Sequence, residues 1–169
     1  MAVPTRIEGD VFVAGTLQST TQIPSALSID NSHVKADAAI VQTKLQHQHV
    51  KTFADDSATS ATTKAHVIHT VQGLTGNVLK FRAGNVVENI GDSVVTVDLL
   101  NKGASILTSV ITLQASDGLS DAYELLAGTI NTAALVADDI LEVSIVATIG
   151  TGTLAKGVYA ELVVEEDSA

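Results

Sequence analysis

The chain has 169 residues, room for one ordinary domain with an appendage or for two small domains, and too few for a large multidomain enzyme. Nine Lys and Arg against 19 Asp and Glu leave a net charge of −10, which repels phosphate backbones and argues against nucleic-acid binding as the main task. Hydrophobic residues make up 46% without any Cys or Trp, so disulfides and thiolate metal sites are excluded, and part of the aliphatic surface is expected to be hidden against partner chains.

At the N-terminus, MAVPTRIEGD has no apolar core, so no export signal is expected. No uncharged apolar stretch reaches the roughly 18 residues of a bilayer span, so no membrane is expected either. Over 7–17, Ile7, Val11, Val13 and Leu17 share one parity with Gly9 and Gly15, while Glu8, Asp10 and Thr16 take the other. That is the period of a half-buried strand. A strand with no neighbour in sequence must pair with another chain or lie on another surface. Residues 19–29, rich in Ser, Thr and Gln, read as irregular extended chain. Asp30, Asn31 and Ser32 are good N-cap types, and Ala36, Ala39, Ile40 and Leu45 follow at mixed helical spacing, which predicts one short helix over 34–45. A polar, His-bearing stretch continues to Phe53, and ADDSATSATT, 54–63, reads as a linker.

From Lys64 onward the texture becomes repeated β runs. Strands are predicted near 65–71, 77–87, 93–100, 105–114, 122–130, 140–149 and 157–165, with turn signals between them such as Gly91-Asp92, Asn101-Lys102-Gly103 and Asp138-Asp139. In two of these runs Val95, Val97 and Leu99, and Leu141, Val143, Ile145 and Ala147, form an unbroken apolar face. The opposite faces are mixed and include Val94 and Val146, either scattered surface valines or a surface covered by a neighbouring subunit. The expected architecture is all-β: an extended N-terminal arm with one short helix (1–53), a linker (54–63) and a jelly-roll-like β-sandwich knob (64–169).

The search for chemistry returns absences. There is no GxSxG elbow, P-loop or HExxH, and GTGT at Gly150–Thr153 lacks the Lys-Ser or Lys-Thr of a phosphate cradle and reads as a hairpin loop. Asp55-Asp56, Asp138-Asp139 and Glu165-Glu166-Asp167 read as solvated turn and tail residues, with a weak Ca²⁺ site at Asp138-Asp139 as the alternative. No enzymatic activity is expected. Histidine forms the one specific cluster: His47 and His49 lie about 7 Å apart on the same side of an extended chain. Facing a three-fold axis, three chains would supply six imidazoles, an octahedral set suited to Fe²⁺, Ni²⁺ or Zn²⁺. The competing reading has these imidazoles hydrogen-bonding with Gln46 and Gln48 in a polar layer, with no cofactor at all. His66 and His69 have opposite strand parity and read as ordinary sheet residues. Sugar platforms favour Trp and Tyr, and the chain has no Trp and only Tyr123 and Tyr159.

The strings IEGDVFVAGTL, DNSHVKADAAIVQTKLQHQH and VTVDLLNKGASILTSVITL together resemble tailed-phage structural proteins of the capsid decoration (cement) and head-fibre class. The resemblance extends over most of the chain and rests on texture and short motifs. It implies a homotrimer on the outer surface of a virion, made in the host cytoplasm, with a knob projecting outward and an arm that meets the major capsid protein. Under that reading Ile7, Val11, Val13, Leu17, Ile40 and Leu45 form the capsid or trimer interface, and 44–49 lies in the arm or at its junction with the knob. The alternative it leaves is a fibre protein that binds host glycans.

Overall fold

Branched and apolar residues alternating with polar ones fit a pleated, half-buried surface. In the computed structural model, which describes residues 46–113 and 122–167, they form ten strands, all within the unit Ile40–Ala169. These are β1 (Gln46–Ala54), β2 (Lys64–Thr70), β3 (Thr75–Val87), β4 (Val94–Asn101), β5 (Ala104–Ser105), β6 (Ile111–Leu113), β7 (Leu125–Ala127), β8 (Ala134–Val136), β9 (Ile140–Thr148) and β10 (Lys156–Asp167). The strand predicted at 7–17 and the helix predicted at 34–45 lie outside the described residues.

One sheet runs β1-β10-β3, with β7 and β8 on different stretches of the far edge of β3; the other runs β2-β9-β4, with β5 and β6 on β4. Every pairing is antiparallel. The chain changes sheet at each step from β1 to β4, again between β6 and β7, and at each step from β8 to β10. Neighbours within a sheet therefore come from opposite ends of the unit. This double wrap is the jelly-roll form of the β-sandwich.

The core is aliphatic. Val78, Phe81, Val158, Leu162 and Val164 of the first sheet meet Val95, Val97, Leu99, Leu113, Leu141, Val143 and Ile145 of the second. Both apolar faces expected from the alternation of β4 and β9 point into it, apart from Ala147 at the rim.

Residues 46–53, read from the sequence as the end of the arm, form with Ala54 the edge strand β1, paired along its whole length with β10. Residues 54–63 lie along β10 instead of spanning open solvent: Asp55 N–H donates to the Val158 carbonyl at 2.8 Å and Ala61 N–H to that of Ala155 at 2.8 Å, and Ala61 is buried. The run predicted at 105–114 is split into β5 and β6 by a loop that buries Ile106 and Leu107. The Gly150–Thr153 loop joins β9 to β10 across the sandwich, so it is a crossover and not a hairpin. Asp92 Oδ1 accepts from Thr151 N–H and Oγ1, filling the place where a phosphate cradle would keep its N–H groups free. A Cβ at Gly152 would stand 1.6 Å from the Ile90 carbonyl oxygen, so the two loops can meet only over glycine.

Candidate functional site

The two sheets end on the same side of the sandwich in β1 and β2, and four of the five histidines line the mouth between them. On β1, His47, His49, Lys51 and Phe53 stand opposite Glu166, Val164, Leu162 and Ala160 of β10, all four of which are buried. Residues directly opposite in a ladder share a face, so the histidines of β1 face the interior side. On β2 a register shift between Val67 and His69 leaves Ile68 as an extra residue. His66 then pairs with Val143 and His69 with Leu141, both core residues, so the bulge places the two histidines on one face despite their odd spacing.

The rings follow one another along the mouth. Phe53 and His66 are 5.1 Å apart between centroids, His49 and His69 5.7 Å, and His47 and His49 6.5 Å. Lys64 Nζ sits 5.6 Å from the Phe53 ring centre and bonds Asp55 Oδ1 at 2.5 Å. The His49 ring thus lies between those of His47 and His69 of the same chain. Among the described residues no three His, Asp or Glu side chains converge as a metal site.

Deepest in this mouth is the pair His69 and Glu166, 9% and 3% exposed. His69 Nε2 donates to Glu166 Oε1, while Glu166 Oε2 accepts from Gln72 N–H at 3.0 Å and Gly73 N–H at 2.8 Å. One carboxylate therefore ties the β2–β3 turn to the last strand. Burial pushes the Glu166 carboxyl up, but His69 and the two N–H groups outweigh it and hold it below its ordinary value of 4.5. Asp139 follows the same pattern: burial is opposed by Val136 N–H, Lys102 and Asn101, and its pKa lies below 3.8. With Lys102 Nζ at 2.9 Å and Asn101 Nδ2 at 2.8 Å, Asp139 has internal partners where the Ca²⁺ alternative needed free oxygens.

These two carboxylates fix the acid limb of stability. A depressed folded pKa contributes stability that is complete above the unfolded value and is lost as pH falls through the folded one. The urea midpoint is accordingly expected to fall as pH drops below about 4.5, and to fall less steeply in Glu166→Gln than in the wild type. Parallel curves would remove Glu166 from this role.

The sequence reading had placed Glu166 in a solvated acidic tail. The missed signal is parity: Val158, Ala160, Leu162, Val164 and Glu166 all lie on the buried face of β10. As chemistry the His69–Glu166 pair orients and braces. Among the described residues its further partners are the backbone N–H groups of Gln72 and Gly73.

On the outer face of the first sheet, Val50 of β1 lies opposite Val163 of β10, and the β3 bulge beside Val163 turns Leu79 outward. Val50 is 63% exposed and Leu79 44%. On the other sheet Val94, half-buried, and Val146, 46% exposed, belong to adjacent rows of the outer face. The residues predicted for the capsid or trimer interface, Ile7, Val11, Val13, Leu17, Ile40 and Leu45, lie outside the described residues, as does His33.

Neither the protein-family models nor the curated proteins contain a match to this chain. Among solved structures, a chain of the "Cyanophage Pam1 capsid asymmetric unit" is similar with a TM-score of 0.50 at 12% identity, over 72% of this chain and 86% of that one. The likeness is one of fold.

Proposed function

We propose that this protein is a structural component of a phage head, a decoration (cement) protein that trimerises and binds the major capsid lattice through its leading arm. The observation that carries the reading is the jelly-roll fold, shared with a chain from a cyanophage capsid across most of both lengths. Net charge and an aliphatic, partly exposed surface fit a molecule that works by contact. Cementing then operates by linkage: a trimer that binds only the assembled shell adds its binding free energy to the stability of that shell, with no bond made or broken.

The test is binding to heads that lack the protein. Saturable binding is expected, and it is lost on deletion of 1–45, a cut that leaves β1 whole, while the melting transition of the knob survives. Binding undiminished by that deletion, or no binding by the full chain, overturns the proposal. A transition metal held by His47 and His49 on the three-fold axis belongs to the same reading and has its own measurement. The mass of the intact assembly with and without a chelator reports whether a metal holds it together.

One observation favours the glycan-binding fibre as a second reading. Tyr123 is 74% exposed, and the hydroxyl of Tyr159 bonds the carbonyl of the next residue, Glu124, at 3.2 Å, so the only two tyrosines share a corner. Glycan affinity of the full chain that is lost in Tyr123→Ala, with low copy number per virion, would select it over cement.

A further inference from the structure

A sheet edge displays unpaired N–H and C=O groups that template pairing with another strand, and natural proteins blunt such edges by shortness, bulges, proline or charge. Among the described residues, three edges of this sandwich are blunted. The far edge of β3 holds only β7 and β8, of 3 residues each, and the far edge of β4 only β5 and β6, of 2 and 3. The β2 edge is interrupted by the bulge at Ile68. β1 differs from all of them: its 9 residues run against β10 without a register shift, contain no proline and carry one formal charge, Lys51. Its other edge has no strand partner among the described residues.

We propose that this edge joins two copies of the chain, β1 to β1, antiparallel about a twofold axis through Val50. The strand is self-complementary in that register. Val50 meets the partner's Val50 on the outer face, and the row of exposed Leu79, half-buried Val163 and exposed Val50 becomes one apolar band running across both copies. Gln48 stands against the partner's Thr52 and Gln46 against the partner's Ala54. Facing the interior side, His49 stands opposite the partner's Lys51 and His47 opposite the partner's Phe53. On a molecule of net charge −10, no carboxylate of β1 meets another, because β1 has none. The contact is isologous, so each β1 edge is satisfied by one partner chain. It does not depend on shell binding. If the chain trimerises, the pairing links knobs of neighbouring trimers.

The chain contains no cysteine, which makes a single introduced thiol a direct probe. In full-length Val50→Cys, mild oxidation is expected to give a disulfide-linked dimer, because directly opposite residues in antiparallel strands lie within disulfide range. Val146→Cys, equally on an outer face but away from β1, is expected to stay unlinked. Native mass of the wild type should show an even number of copies at high concentration, and Val50→Lys should abolish that association while leaving the melting temperature of the dilute, unpaired chain unchanged, since like charges would then face each other. No Val50→Cys dimer, equal linking at both positions, or a wild-type mass that never doubles and is unmoved by Val50→Lys overturns the inference. Should Val50→Lys fail to fold, the cysteine pair decides.

Discussion

Glu166→Ala is expected to lower the free energy of unfolding by about 2–6 kcal/mol, the cost of leaving two buried hydrogen-bond donors without an acceptor at about 1–3 kcal/mol each. The size follows from what is left behind. His69 is 9% exposed and would lose the acceptor of its Nε2, and the buried Gly73 N–H would lose its acceptor too. Both groups are buried, so each would bear most of its desolvation cost. The turn between β2 and β3 would also be released from the end of β10. Denaturant titration of the full chain measures the loss. His69→Gln, which keeps a donor of similar reach, is expected to lose less than Glu166→Ala. A loss of under about 1 kcal/mol for Glu166→Ala would mean that the pair is solvated and the brace absent.

Phe81→Ala is expected to cost about 3–5 kcal/mol by a different route, the removal of a buried aromatic ring and the cavity that remains. Phe81 is wholly buried in the middle of β3, opposite Leu162, and its carbonyl receives the Gly128 N–H at 2.9 Å. The strands around it are held on both sides by ladders, so they have little freedom to close over the gap. Val146→Ala, on the outer face of β9, is expected to change stability by less than about 0.5 kcal/mol. The contrast between the two, read as shifts in denaturant midpoint at constant slope, reports directly on which face of each sheet is core. Equal effects would contradict the sandwich.

Much of this architecture was legible before any coordinates. In β4 and β9 the alternation named the buried face almost residue for residue, and Gly91-Asp92, Lys102-Gly103 and Asp138-Asp139 all fall between strands, with Asn101 closing β4. Legibility failed where a strand turns polar residues to its inner side. β1 reads QHQHVKTFA, and its inward positions are His47, His49, Lys51 and Phe53, so hydrophobic periodicity had almost nothing to register. Short strands such as β8, with 3 residues, fail for a related reason: the window is too small for any period to stand out.

Sequence alone determined the class of the protein: all-β, acidic, without thiols, and free of the motifs that announce common catalytic sites. Those are properties of local pattern and composition, and they do not depend on which strand lies beside which. Only the tertiary structure decided that β1 borders β10 while β2 borders β9, because ladder partners from opposite ends of the unit leave no local trace. It also decided the fate of the histidines. One extra residue at Ile68 turned His66 and His69 to the same side, where the wrap of the sandwich had already brought His49 and Glu166. A bulge changes parity without changing composition, which is why the site appears only once the chain is folded.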